Sequence, residues 1–217
     1  MLDLLLPQRC AACQAPGPQL CDACLETLPR IEPPLCGRCG APTAWPVRRC
    51  RECAGRRLAF ARARAAAAYD ERVRSLVGAW KEQGLRRLAR PAAELVATAV
   101  ERPAAEVLAF VPADPDRGLK RGHHPAEALA RELAARWSLP LAPLLGRPRA
   151  VRPQRGLTLA ERRRNVARAF TASESPRRVA LVDDVYTTGA TANAAASALR
   201  AAGARHVEIV TFARAVR

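Results

Sequence analysis

Val179-Ala180-Leu181-Val182-Asp183-Asp184-Val185-Tyr186-Thr187-Thr188-Gly189-Ala190-Thr191 is the stretch that decides how this chain folds. A short apolar run ends in two adjacent carboxylates, and a turn of hydroxyls and glycine follows. Val179 to Val182 reads as a buried central strand. Thr191 to Ala202 reads as a helix closed by Gly203, and His206 to Ala213 as a last strand. Strand, helix and strand of these lengths form a βαβ unit, so the chain is expected to be α/β with a largely parallel sheet. Ligands of such sheets bind beyond the carboxyl ends of the strands, where Asp183 to Thr191 fall. Carboxylates suit sugar hydroxyls, while hydroxyls and amides at a helix start suit a phosphate. The stretch therefore offers both halves of a site for a phosphorylated ribose.

Upstream of this unit, Leu58 to Tyr69 alternates arginine with alanine, as an edge strand does, although alanine itself favours helix. Asp70 is placed to cap a helix from about Glu71 to Gln83, with Val73, Leu76, Val77 and Trp80 on one face and Gly84 as its breaker. A second helix is expected over Leu85 to Val100, with Leu88, Leu95, Val96 and Ala99 inward. Val107 to Val111 is a short apolar run and a further buried strand. Two prolines and two glycines then force a loop carrying Arg117, Lys120, Arg121 and Gly122, just before a helix spanning roughly His124 to Trp137. Cations next to a helix N-terminus suit a pyrophosphate, and a solvated basic loop is the rival reading. His123 and His124 open that helix. They read as surface residues in preference to an acid–base pair. Leu139 to Leu145 is expected to add a strand, and Gly146 to Leu159 a lid-like connection. Glu161 to Ala169 reads as a very basic helix.

All eight cysteines stand in the first quarter, as Cys10/Cys13, Cys21/Cys24, Cys36/Cys39 and Cys50/Cys53. Two residues separate the members of each pair, which lets one turn present two thiolates to a tetrahedral ion. Structural zinc is favoured over disulfides, because the apolar N-terminus is too short and lacks the basic leader of an export signal. Pairing in series (10/13 with 21/24, 36/39 with 50/53) closes the shorter loops. Interleaved pairing also satisfies the spacing.

The formal net charge is +16, and every basic residue except Lys81 and Lys120 is arginine. A nucleic-acid or polyphosphate partner explains this excess, and so does a coding bias towards Ala, Arg, Pro and Gly. No run reaches the ~18 apolar residues of a membrane helix, so a cytoplasmic protein without membrane insertion is expected.

Val179 to Thr191 resembles the phosphoribosyl-pyrophosphate (PRPP) signature of type I phosphoribosyltransferases. The four cysteine pairs resemble the ComF family, which includes ComFC and GntX-type proteins. So do Arg121-Gly122, Arg152-Pro153-Gln154 and the block from Glu161-Arg162-Arg163-Arg164-Asn165 to Ala169-Phe170. The likeness covers nearly the whole chain. It implies a double zinc-ribbon module over 1–56 and a domain of the type I phosphoribosyltransferase kind over 57–217. It implies that Asp183 and Asp184 hold the ribose hydroxyls and that Thr187, Thr188, Gly189, Ala190 and Thr191 wrap the 5′-phosphate. Arg117, Lys120, Arg121 and Gly122 take the pyrophosphate, with Asp183, Asp184 and Arg121 as the catalytic set. Arg152, Gln154, Arg162 and Asn165 belong to a hood, and Mg2+ accompanies PRPP. The implied role is phosphoribosyl transfer in DNA uptake and natural transformation. The rival is a competence accessory that handles single-stranded DNA and uptake-machinery proteins. His123-His124 stands where the family commonly has Phe-Asn, and Asp114 and Asp116 where it commonly has His and Arg.

Overall fold

A computed structural model describes residues 8–113, 123–148 and 169–216. In chain order its elements are α1 (Asp22–Glu26), β1 (Arg62–Ala68), α2 (Glu71–Glu82), a 3-10 turn (Arg86–Leu88), α3 (Ala89–Ala99), β2 (Val107–Phe110), α4 (Pro125–Trp137), β3 (Arg178–Tyr186), α5 (Ala190–Ala201) and β4 (His206–Arg214). These four strands form one sheet in the order β1-β4-β3-β2, and every pairing is parallel. The α/β class with an all-parallel sheet and an N-terminal cysteine-rich module is thus the observed architecture.

Local chemistry accounts for the helices nearest the site. The Asp70 carboxylate caps α2 by accepting from the Val73 N–H at 2.8 Å. Val73, Leu76, Val77, Ala79 and Trp80 form its buried face. Helix α4 begins after His124, whose Nδ1 accepts from the Glu127 N–H, and Pro125 occupies the first turn, where a missing N–H costs nothing.

The sheet buries both faces, as parallel sheets do. On one side α2, α3 and α4 share a core with Ala180, Val182, Val210 and Phe212. On the other, Ala192, Ala195, Ala196 and Leu199 of α5 meet Val179, Leu181, Val207 and Ile209. The cysteine-rich segment divides between the two sides. Cys10, Leu20 and Leu28 join the first core, and Cys36, Cys39 and Cys53 join the second. The same segment covers the free edge of β1. The Ile31 N–H donates to Ala66 O, the Ala68 N–H to Pro29 O and the Ala63 N–H to Arg38 O. Gly40 is required at this seam: its φ is +69°, and a Cβ there would lie 2.4 Å from Ala63 O.

Three expectations are corrected. Strand β3 does not stop at Val182 but runs through both aspartates to Tyr186, because β4 keeps pairing with it up to Tyr186↔Arg214. Leu139 to Leu145 makes only a single parallel bridge, Leu141 to Leu108, since Pro140 and Pro143 remove the donors a ladder needs. Ala99 faces solvent at the end of α3, where Val100 turns inward instead.

That bridge nevertheless fixes where a ligand can sit. From β2 the chain passes through α4 to a segment on the outer side of β2, while from β3 it passes through α5 to β4 on the inner side. The direction of winding reverses between β2 and β3, and the crevice at such a reversal is where α/β sheets hold ligands.

Candidate functional site

A cleft of 440 Å³ opens at the carboxyl ends of β2 and β3. Its walls include Val111, Pro112 and Ala113 after β2, His124 to Ala126 at the start of α4, Tyr69 and Lys81 beside β1 and α2, and Asp183, Asp184, Val185, Thr187 and Thr191. The sheet register brings these segments together.

The two aspartates differ in environment. Asp184 is buried, and its Oδ2 lies 2.6 Å from Lys81 Nζ. Asp183 Oδ1 accepts from the Asp184 backbone N–H at 2.9 Å. Burial, followed by the neighbouring Asp184 charge, pushes the Asp183 carboxyl up to about 8. The pair therefore presents one salt-bridged carboxylate and one carboxyl that holds its proton near neutrality until a cation or hydroxyl partner arrives.

Beyond the acids the backbone turns at Gly189, the N-cap of α5, with φ +74°. A Cβ there would meet Tyr186 Oη at 2.2 Å, so this position accepts only glycine. A niche just beneath the turn is lined by Asp183, Thr187, Gly189, Thr191 and Thr211. The Ala190 N–H leans on Thr188 Oγ1 at 3.3 Å. Hydroxyls and a helix N-terminus thus meet at one turn next to the two carboxyls, groups that suit an anion.

His124 lines the cleft and is half-buried, which lowers its pKa. It caps the helix through Nδ1, and its Nε2 lies against the backbone nitrogen of Ala113. The surface position expected for it is thus corrected: its ring ties the end of β2 to the start of α4. Arg117, Lys120, Arg121 and Gly122 of the basic loop lie outside the described residues, as do Arg152, Gln154, Arg162 and Asn165 of the hood segment.

The cysteines fall into two groups of four, Cys10/Cys13/Cys21/Cys24 and Cys36/Cys39/Cys50/Cys53, and within each the Sγ atoms all lie within 4.8 Å of one another. Neighbouring pairs combine, the arrangement with the shorter loops. The contacts Cys13–Cys21 at 3.8 Å, Cys36–Cys53 at 3.6 Å and Cys39–Cys50 at 3.4 Å suit the ~3.8 Å edges of a tetrahedron with Zn–S bonds of ~2.3 Å. The amides are placed for thiolates: the Cys50 N–H points at Cys36 Sγ and the Cys21 N–H at Cys10 Sγ. Burial pushes both sulfurs up, but the surrounding N–H groups outweigh it and hold Cys10 and Cys36 at about 6. Both groups fit structural zinc, and four sulfur ligands leave no open position for chemistry.

Residues 1–54 match the double zinc ribbon domain. Over 209 residues the chain is 30% identical to competence protein F of Haemophilus influenzae, covering 90% of each protein. The chain belongs to the competence protein F family. A solved structure of TT1426 from Thermus thermophilus is also similar, at 21% identity and a TM-score of 0.34, over 63% of this chain and 84% of that one. Among the described residues of this family member, no helix is long and apolar enough to cross a membrane.

Sequence reading missed two residues at the site. Lys81 reaches Asp184 from the last turn of α2. Its signal was its type, one of two lysines in a chain that otherwise uses arginine. Arg56 follows the last cysteine pair, and its Nη1 donates to Thr188 O at 2.8 Å. No local pattern marks it.

Proposed function

We propose that this protein binds magnesium-PRPP in the cleft and transfers the phosphoribosyl group to an acceptor nucleophile, in the service of DNA uptake during natural transformation. The observation that carries the reading is the juxtaposition, at one switch-point cleft, of the Asp183-Asp184 pair with the glycine turn at the N-terminus of α5. Ribose hydroxyls go to Asp183 and Asp184. The 5′-phosphate goes to Thr187, Thr188, Gly189, Ala190 and Thr191. Arg117, Lys120 and Arg121 neutralise the pyrophosphate. With magnesium bound to PRPP, Asp183 and Asp184 would lie beside the metal-bearing substrate, and the metal would help neutralise the leaving pyrophosphate.

In this reading the C1′–pyrophosphate bond breaks with its electron pair leaving on the pyrophosphate, and the acceptor's lone pair closes on an oxocarbenium-like C1′. The chain contributes orientation and charge. Asp184, already paired with Lys81, places its negative charge at the sugar. Asp183 releases its proton when the magnesium-bearing substrate arrives. Membership of the competence protein F family supports the competence role.

Incubating the zinc-loaded protein with magnesium-PRPP and a panel of bases and amines tests the transfer. Release of pyrophosphate that depends on one acceptor supports it. PRPP that binds but stays intact across the panel converts the site to a sensor.

A second reading, a non-catalytic accessory for single-stranded DNA, is favoured by one observation. A 540 Å³ cleft in the second ribbon is lined by Arg38, Arg48 and Arg49, and the exposed Trp45 lies in the same ribbon. Arginines and an exposed aromatic are the groups that hold a single strand. A steep fall of oligonucleotide affinity with salt, abolished by substituting these arginines, supports that reading.

A further inference from the structure

Three links hold the glycine turn, two of them from the second cysteine ribbon and one from the segment that follows it. Arg56, three residues beyond Cys53, donates to Thr188 O at 2.8 Å, and its own carbonyl is held by Arg49 Nη1 at 3.0 Å. The Ala59 N–H donates to Asn193 Oδ1 at 2.7 Å, and the Asn193 N–H closes the first turn of α5 on Gly189 O at 2.9 Å. Arg214 is 1% exposed; it donates to Cys39 O, pairs with Glu52 Oε2 at 2.8 Å and stacks 5.1 Å over the Tyr186 ring. Tyr186 in turn sits edge-on to Phe60 and presses its hydroxyl against Gly189. The chain about the first cysteine group is tied elsewhere: Arg30 bonds Leu25 O, and residues 29–31 bond β1.

These links have a directional logic. Arg56 and Asn193 fix carbonyls on either side of the Gly189 amide, and Tyr186 fixes its floor. A turn that must aim several N–H groups at one anion gains affinity when its geometry is set before the anion arrives. The anchors for that geometry are the knuckles of a four-cysteine group, which a metal makes rigid.

We propose that the second four-cysteine ribbon, acting through Arg56, is a working part of the phosphate seat, so that Arg56 is a positioning residue and occupancy of this ribbon, not of the first, sets the affinity of the turn. The proposal rests on the PRPP reading for its ligand, but not for its structural half. Metal loss or thiol oxidation at the second ribbon would lower ligand affinity without any change in the carboxylates.

The test uses the full-length zinc-loaded chain and the variants R56A, R56K and N193A, with R30A as a control beside the first ribbon. Amide hydrogen exchange at residues 187–191 and magnesium-PRPP affinity by calorimetry are read together, with zinc content checked in each sample. The expected result is about tenfold faster exchange and about tenfold weaker binding in R56A and N193A, substantial recovery in R56K, no change in R30A, and wild-type zinc content throughout. If exchange responds but even the wild type takes up no PRPP, the coupling stands and the ligand reading falls. If PRPP binds with equal affinity in all variants and exchange is unchanged in R56A and N193A, the coupling is wrong and the ligand reading survives.

Discussion

Lys81 Nζ lies 2.6 Å from Asp184 Oδ2, which joins the last turn of α2 to the carboxyl end of β3 across the floor of the cleft. Asp184 is buried, and the lysine is partly exposed. A compact ammonium suits this place. It neutralises one carboxylate without the planar fork an arginine would bring, and it leaves the cleft open above it. The lysine thus keeps two adjacent acids compatible with a folded strand end.

Replacing Lys81 by methionine should leave Asp184 buried without its cation. The expected cost is about 1–3 kcal/mol of stability, discounted for the lysine's exposure, together with weaker ligand binding. Denaturant titration of K81M and of the double variant K81M/D184N measures it. The double variant should recover most of the stability and none of the binding. Equal stability of K81M and wild type would show the pair to be incidental.

Asp183 supplies a pH dependence with a definite sign. Its carboxyl is raised from an ordinary value near 4 to about 8, so between those values the folded chain holds a proton that the unfolded chain has released. Stability from this group is complete below about pH 4, falls as pH rises through the window, and has reached its minimum above about 8. D183N removes the titration. Thermal melts from pH 5 to 9 should show the variant gaining on wild type as pH rises, by roughly 1–3 kcal/mol at the alkaline end. Parallel curves would contradict the raised value.

Gly189 combines a left-handed φ with a floor closed by Tyr186. G189A should cost about 2–4 kcal/mol and abolish anion binding at the turn. Removing the ring as well, in G189A/Y186A, should show non-additive stability, because the clash is lost with the tyrosine. Additive losses would mean that backbone strain alone carries the effect.

The two four-cysteine groups predict two zinc ions per chain by elemental analysis, released when a strong chelator or mercurial is added. Each group packs into a different core, so loss of one should loosen its own side of the sheet and leave the other group loaded. A stoichiometry of one would mean that one group holds no metal.

Much of the fold is local in origin and could be read before any coordinates. The Asp70 cap, the apolar face ending at Trp80, the alternation in β1 and each element of the βαβ unit around Asp183 follow from patterns within about a dozen residues. The observed grouping of the cysteines is the one that shorter loops favour, although spacing alone also allowed an interleaved one. What escaped is what depends on distant segments meeting. Lys81 reaches Asp184, and Arg56 reaches Thr188, only because parallel pairing and the docking of the ribbon on β1 bring them there. Leu139 to Leu145 looked like a strand because its leucines outnumber its prolines, yet two missing donors limit it to one bridge. Ala99 carries too little apolar surface for periodicity to place it.

The central claim is that Asp183 and Asp184 hold the ribose of PRPP. Calorimetry of magnesium-PRPP with the zinc-loaded wild type and with D183N/D184N tests it most directly. The account predicts saturable heat for the wild type and at least tenfold weaker binding in a double variant that remains folded with its zinc. No heat from the wild type, or equal affinity in both proteins, would contradict it.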